Sequence, residues 1–281
     1  MAATLPSYLS IGGLILTGQE ASGVSWVMQD FTGWGAVGGT LAAQQKVRAA
    51  GAWAGTSYET ARTLTFAGTT YAPTAQLAQD AIDRLNAAVT LASTSLAVTE
   101  SGFTRTMNVR RDGQIIVAWI SALAFTWSVQ VLALDFRKFA APVSGSTFLP
   151  SSTGGMTWPE TWPETWTATT VSGQVSLTNP GNTTGSVILR IDGPATGPSI
   201  SHVGTAAPIT FSSSLILGVG EWLTINMDAH QVLANDQSNR AQYITSAGWS
   251  GFDPGINTWS LAAAVFNAGT KLTVTATGAW Q

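Results

Sequence analysis

The 281-residue chain contains no cysteine. Disulfides and thiolate metal sites are therefore excluded, and the fold must stand on its apolar core. Charge is scarce as well. Lys and Arg number 12 and Asp and Glu 15, so charged residues make up 10% of the chain, against roughly 25% in an average soluble domain. The formal net charge is −3, and it is unevenly divided: residues 1–140 carry 9 basic and 8 acidic side chains, residues 141–281 carry 3 and 7. Neither half holds a basic stripe, which argues against stable binding to nucleic-acid phosphates. Histidine is nearly missing, with His202 and His230 alone. The opening Met1-Ala-Ala-Thr-Leu-Pro-Ser has no basic stretch ahead of an apolar run, so no secretory leader is expected.

Apolar material is plentiful: 45% of residues are hydrophobic, with 29 Gly and 12 Trp. A surface poor in charge and rich in aromatics suits permanent subunit contacts. A β-rich monomer with a Ser/Thr surface fits the same composition. One uncharged run, Gly113 to Leu134, is long enough to cross a bilayer. It is interrupted by Gln114, Ser121, Thr126, Ser128 and Gln130, and Trp127 to Leu134 alternates with period two. That pattern predicts two strands joined by a turn, with no membrane insertion.

The patterning predicts a mainly β chain with one helix. Thr74 caps a helix over about 74–89, in which Leu77, Ala81, Leu85 and Ala88 share one face. Arg62-Thr-Leu-Thr-Phe-Ala-Gly alternates as a strand. Residues 1–140 read as a β domain bearing that helix. The Pro/Gly/Ser-rich stretch from Ala141 opens a linker running to residue 170, which includes the repeat Thr157-Trp-Pro-Glu, Thr161-Trp-Pro-Glu, Thr165-Trp. Each Pro pushes the preceding Trp toward an extended conformation, so Trp158, Trp162 and Trp166 form an aromatic strip. Residues 171–281 show short alternating runs separated by turns: Val187/Leu189/Ile191, Leu223/Ile225/Met227, a hairpin turn at Asp228–Gln231, and Lys271 to Thr277. A β-sandwich is expected there.

Gly33-Trp34-Gly35-Ala36-Val37-Gly38 is a literal G-x-G-x-x-G. Val24 to Met28 precedes it, Leu41 to Val47 could be a helix, and Glu59 lies 21 residues beyond Gly38. A dinucleotide site needs a second buried strand leading to that acidic residue, and Ala54-Gly-Thr-Ser-Tyr does not supply one. No cofactor-binding residue is assigned. Asp228 and His230 sit two apart in a turn, no Gly-x-Ser-x-Gly elbow exists, and neither histidine has metal-ligand spacing to other donors. Both histidines are read as turn and surface residues. Glu160 and Glu164 lie in the Pro-rich repeat and lack the rigid cleft of a glycosidase pair. No catalytic or metal-binding residue is assigned, and neither enzymatic activity nor a cofactor is expected. The Trp strip, or the sandwich, leaves a carbohydrate-binding tail or fibre module as the alternative function, because aromatic faces stack on sugars as well as on protein.

Several segments in order resemble the distal tail proteins of long, non-contractile-tailed bacteriophages, called minor tail proteins in actinobacteriophages. They are Phe148-Leu-Pro-Ser-Ser-Thr-Gly-Gly-Met-Thr-Trp-Pro, Val175-Ser-Leu-Thr-Asn-Pro-Gly-Asn, Val187-Ile-Leu-Arg-Ile-Asp-Gly-Pro, Glu221-Trp-Leu-Thr-Ile-Asn-Met-Asp with Gln231-Val-Leu, Pro254-Gly-Ile-Asn-Thr, and Ala279-Trp280. In the first half, Arg62 to Gly68 and Leu134-Asp-Phe-Arg-Lys-Phe resemble two further family segments, with Phe136 where the family usually has Pro. The resemblance implies an N-terminal ring-forming β domain and a C-terminal galectin-like β-sandwich. It implies a structural virion protein at the distal end of the tail, assembled in the host cytoplasm. As a ring, a hexamer in the family, it would connect the tail tube protein to the tail-tip hub, a tail-associated lysin-type protein, and to receptor-binding proteins of the baseplate. His230 is not followed by Asn and Arg at the spacing of true galectins, which weakens a lectin role.

Overall fold

The structure, a computed structural model, describes residues 5–149, 173–205 and 207–281. Trp158, Trp162, Trp166, Glu160 and Glu164 lie outside these residues. The chain divides into two compact units, one reaching Ala141 and one running from Pro142 to Trp280. Every strand pair described below is antiparallel.

The first unit contains β1 (Tyr8–Ile11), β2 (Leu14–Ile15), β3 (Gly18–Gln19), β4 (Ser25–Thr32), β5 (Gly39–Gln45), β6 (Ala52–Glu59), β7 (Arg62–Tyr71), helix α1 (Ala75–Ala88), β8 (Thr94–Glu100), β9 (Phe103–Arg111), β10 (Ile116–Ser121), β11 (Ala124–Ala133) and β12 (Lys138–Phe139). One run of pairing is β2–β1–β8–β9, with β12 joined to β9. Another is β10–β11–β7–β4, with β3 covering one end of β4, and β11 also pairs β9 at Val131 and Leu132, which joins the two runs. The uncharged segment is thus two strands and a turn, as its alternation required, and no described helix is long and apolar enough to cross a membrane.

Period two decides which side chains enter the core. Leu64 and Phe66 of β7, and Phe125, Trp127, Val129 and Val131 of β11, are buried, while Thr63 and Gln130 face out. Trp127 meets Trp26 and Phe66 edge-on at 6.0 and 6.2 Å, the geometry that aromatic quadrupoles favour. Gly68 permits this approach: a Cβ there would lie 2.7 Å from the Trp127 ring and 2.3 Å from the carbonyl of Val27. Burying each large apolar side chain contributes roughly 1.5–3 kcal/mol, so this cluster dominates the unit. Helix α1 begins where Thr74 accepts a hydrogen bond from the Leu77 amide at 3.2 Å. It buries Ala78, Ala81, Ile82, Leu85 and Ala88 in the same core. Leu77, expected on that face, is half-buried at its edge.

The second unit contains β13 (Val143–Phe148), β14 (Gln174–Asn179), β15 (Thr183–Asp192), β16 (Ala195–Thr196), β17 (Ser199–His202), β18 (Ile209–Phe211), β19 (Ile216–Leu217), β20 (Trp222–Asn226), β21 (Gln231–Ala234), β22 (Ser238–Asn239), β23 (Ile244–Ala247), β24 (Gly255–Ala262), β25 (Val265–Phe266) and β26 (Lys271–Trp280). One sheet runs β13–β26–β15–β20–β21–β22, the other β14–β24–β17–β18–β23. Val187, Leu189, Ile191, Leu223, Ile225 and Val274 from the first sheet share one core with Val175, Ile200, Phe211 and Trp259 from the second. This is the sandwich that the alternation predicts. Residues 143–148 are a strand hydrogen-bonded to β26, where composition placed a linker. Their Ser and Gly content reflects an edge strand with few inward side chains.

Candidate functional site

The glycine motif leads to the most unusual chemistry of the first unit. Gly33 to Gly38 connects β4 to β5, and β5 is a strand where a helix could have followed. Gly33 adopts φ +85°, and a Cβ there would sit 2.0 Å from the Thr63 carbonyl, so glycine is required. The loop turns its carbonyls onto one side chain. Arg62 Nη1 donates to the carbonyls of Gly33, Trp34 and Gly35 at 2.9, 2.9 and 2.7 Å, and its Nε donates to Phe136 at 3.2 Å. Lys138 Nζ adds bonds to Trp34 at 3.0 Å and Gly35 at 3.4 Å. A phosphate cradle needs converging N–H groups. Here carbonyls converge on two cations, which disposes of the dinucleotide reading on chemical grounds.

Arg62 and Lys138 are both buried, and no carboxylate pairs with either among the described residues. Burial holds the Arg62 guanidinium below its usual range. Burial also pulls the Lys138 ammonium down to about 8, helped by the charges of Arg62 and Arg105 and opposed by Glu100. The Trp34 ring lies 5.3 Å from Lys138 Nζ and its Nε1 donates to Glu100 at 2.7 Å. Hydrogen bonds to charged groups contribute about 1.5–3 kcal/mol each, which offsets the desolvation of the two cations.

This clamp has a specific position. Gly33–Gly35 immediately precede the β5–β6 hairpin and Arg62 immediately follows it. Thr60 closes the base, its amide donating to Gly38 at 2.9 Å. Beyond that base, every residue of β5 and β6 is exposed. The two strands pair with each other and with no other strand among the described residues. Leu41, Trp53 and Tyr58 are each about two-thirds exposed and Val47 is 96% exposed. The only charges within Gly39–Glu59 are Lys46 and Arg48 near the tip and Glu59 at the base. Glu59 therefore lies on a solvated arm, paired across from Gly39.

A second feature is the pair of open sheet edges. β10 pairs only with β11 among the described strands and exposes Ile116, Trp119 and Ile120, with no charged residue along it. At the far side of β10–β11–β7–β4, β3 covers β4 at Ser25 and Trp26 and leaves the outer edge of Val27–Thr32, the side away from β7, unpaired among the described strands. Soluble proteins normally block such edges with charge, Pro or a covering element.

The histidines separate. His230 stands in the β20–β21 turn at φ +51°, stacked on Trp249 at 4.6 Å. His202, expected at the surface, is buried: it points inward from β17, stacks on Trp259 at 4.7 Å and hydrogen-bonds Asn257 through Nε2 at 3.0 Å. Burial lowers its pKa, opposed by Asn257 and Asp253. No cluster of three metal-ligating side chains occurs among the described residues. Sequence reading missed the Arg62–Lys138 clamp, whose members lie 76 positions apart. The available signal was Arg62 itself, a cation opening an alternating buried strand in a chain nearly devoid of charge.

No protein-family profile matches the chain, and no curated protein matches it. Solved structures do. The chain has the fold of bacteriophage baseplate proteins. It is similar to the Dit protein of phage SPP1, described as a paradigm of the hub adsorption apparatus in phages infecting Gram-positive bacteria, with a TM-score of 0.68 and 12% identity over 98% of this chain and 99% of that one. It is also similar to a chain in the activated, calcium-containing baseplate of phage P2, with a TM-score of 0.52 and 10% identity over 96% and 97%.

Proposed function

We propose that the chain is a structural subunit of a phage tail tip that assembles head to tail into a closed ring. The observation that carries this reading is the run β10–β11–β7–β4, which leaves two different free edges among the described strands, the outer edge of β10 and that of β4 beyond Trp26. Two different free edges on one subunit make a heterologous contact, and repetition of such a contact closes a ring when the rotation allows. The β5–β6 arm supports the same reading. A two-stranded hairpin is marginal on its own in water, so one held clear of its body gains stability from a neighbour. The shared fold with SPP1 Dit over nearly the whole of both chains adds support. In this proposal the ring, a hexamer by family resemblance, sits at the distal end of the virion tail. It joins the tail tube to the tail-tip hub and its receptor-binding proteins, with the second unit as a galectin-like sandwich. The role is structural rather than enzymatic.

The test is mass photometry and cryo-EM of the purified chain beside Ile120→Lys, which places a charge on the open β10 edge. The wild-type chain is expected to form closed rings and the variant to remain monomeric with unchanged circular dichroism. A wild-type chain that stays monomeric at high concentration, or a variant that forms the same rings, defeats the proposal.

A further inference from the structure

A cleft of about 220 Å³ opens in the second unit beside β19 and the β21–β22 turn. Its floor includes Leu215, Leu217 and Ala234, all buried. Its rim is polar and carries Glu221, Gln237 and Arg240, with Tyr243 as its aromatic wall. The Arg240 guanidinium lies 6.0 Å from the Tyr243 ring.

The rim is fixed before anything binds. Asn235 and Asp236 turn the chain in the left-handed region, at φ +51° and +56°. Both are residue types that tolerate it. Asn235 Oδ1 accepts from the Trp222 amide at 3.0 Å and Asp236 Oδ2 from Trp222 Nε1 at 3.1 Å, which locks the turn to β20. Glu221 Oε2 accepts from the Gly218 amide at 2.7 Å, which sets the carboxylate. The side chains of Gln237 and Arg240 are left without a hydrogen bond or ion pair among the described residues, and Glu221 and Arg240 face the same cleft without pairing.

We propose that this cleft binds one ring of a neutral saccharide. Sugar hydroxyls both donate and accept, so adjacent hydroxyls satisfy a carboxylate and a guanidinium that do not reach each other. The apolar C–H face of the ring suits Tyr243 and the leucine floor. One acid and one base line the cleft, so an anionic ligand meets Glu221 and a cationic one meets Arg240. Residues 141–281 hold 3 basic against 7 acidic side chains, which further disfavours polyanions. The volume lies below the roughly 300–1,000 Å³ of sites for drug-sized ligands, which fits a single ring. The proposal does not depend on ring assembly.

Saturation-transfer difference NMR on the full chain tests this, with free glucose, galactose, mannose and arabinose as separate probes and glycerol 3-phosphate as the anionic rival. At least one neutral sugar is expected to give saturable transfer. Arg240→Ala is expected to weaken binding about tenfold or more, since a hydrogen bond to a charged group is worth at least that factor, and Gln237→Ala, which removes a neutral hydrogen bond, by about threefold to tenfold. His230→Ala, outside the cleft, is expected to bind as wild type. Should Arg240→Ala misfold by circular dichroism, Gln237→Ala decides. No saturable transfer from any neutral sugar, transfer unaltered by the folded cleft variants, or binding of glycerol 3-phosphate alone overturns the proposal. Ring formation, measured separately on the same samples, stands or falls independently.

Discussion

The two units bury polar groups in opposite ways. The first sinks two full cations, Arg62 and Lys138, onto backbone carbonyls. The second buries neutral groups. Asn179 donates to the carbonyls of Phe252 at 2.6 Å and Thr183 at 3.1 Å, and accepts from the Gly181 amide at 2.8 Å. Asn257 similarly ties the Asp253–Gly255 loop beneath His202. The edges differ too. The larger sheet of the second unit ends on the two-residue strand β22, whereas the first unit leaves all of β10 open. A neutral staple suffices to fold a loop back onto its own sandwich. A cation clamp is found where an element must be held away from the body, and the stronger, charge-assisted bonds compensate for the packing that the arm lacks.

Predictions follow this contrast in falling order of effect. Trp259→Ala removes a fully buried ring that also supports His202, and is expected to cost the second unit about 3–5 kcal/mol. Urea unfolding followed by hydrogen exchange should show the loss in β17 and β24 with α1 protection unchanged. Equal loss in both units would show that they are one energetic body and erase the contrast. Arg62→Met leaves the Gly33 and Phe136 carbonyls without their Arg62 donor, and Trp34 and Gly35 with Lys138 alone, and is expected to cost about 2–3 kcal/mol. The decisive readout is exchange of the Thr60 amide, which donates to Gly38 at the base of the arm and should quicken while the sandwich is untouched. Arg62→Lys should restore part of this at most, because an ammonium lacks the guanidinium fork.

The smallest effect is in pH dependence, and it has opposite ends in the two units. His202 has a folded pKa below its unfolded value, so the unfolded state binds more protons as pH falls below about 6.5. The stability of the second unit should fall in that window, and His202→Gln should flatten the curve. Lys138 has a folded pKa of about 8 against 10.5 unfolded. Between those values the unfolded chain holds the extra proton, so the first unit should gain stability as pH rises, a gain that Lys138→Met should remove. Parallel pH curves for the two units, measured by site-resolved exchange, would contradict this assignment.

Local signals were legible in the sequence where one element's own residues determine it. Thr74 and the Ala81/Leu85/Ala88 face define α1, and Trp127 to Leu134 declares its strand by alternation. Val143–Phe148 escaped because an edge strand with outward Ser and Thr has the composition of a linker. Leu41–Val47 has helix-compatible residues, yet Gly39–Gln45 is a strand because β6 supplies its hydrogen-bond partner. The clamp was illegible for a different reason. Its members meet through the pairing of β12 with β9 and the return of β7 beside β4, and no periodicity encodes that. His202 likewise looks like any strand residue until Trp259 and Asn257 are brought opposite it.

The placement of the Arg62 clamp also separates two kinds of sequence change. The side chains that aim the β5–β6 arm lie at its root, and those along its length take no part in the unit's core. Substitutions along the arm can therefore accumulate with little penalty to folding while leaving its direction intact. If the arm meets a neighbouring copy as proposed, a lineage could refit that contact by rewriting some twenty positions between Gly39 and Glu59, with Arg62, Lys138 and Gly33 held constant.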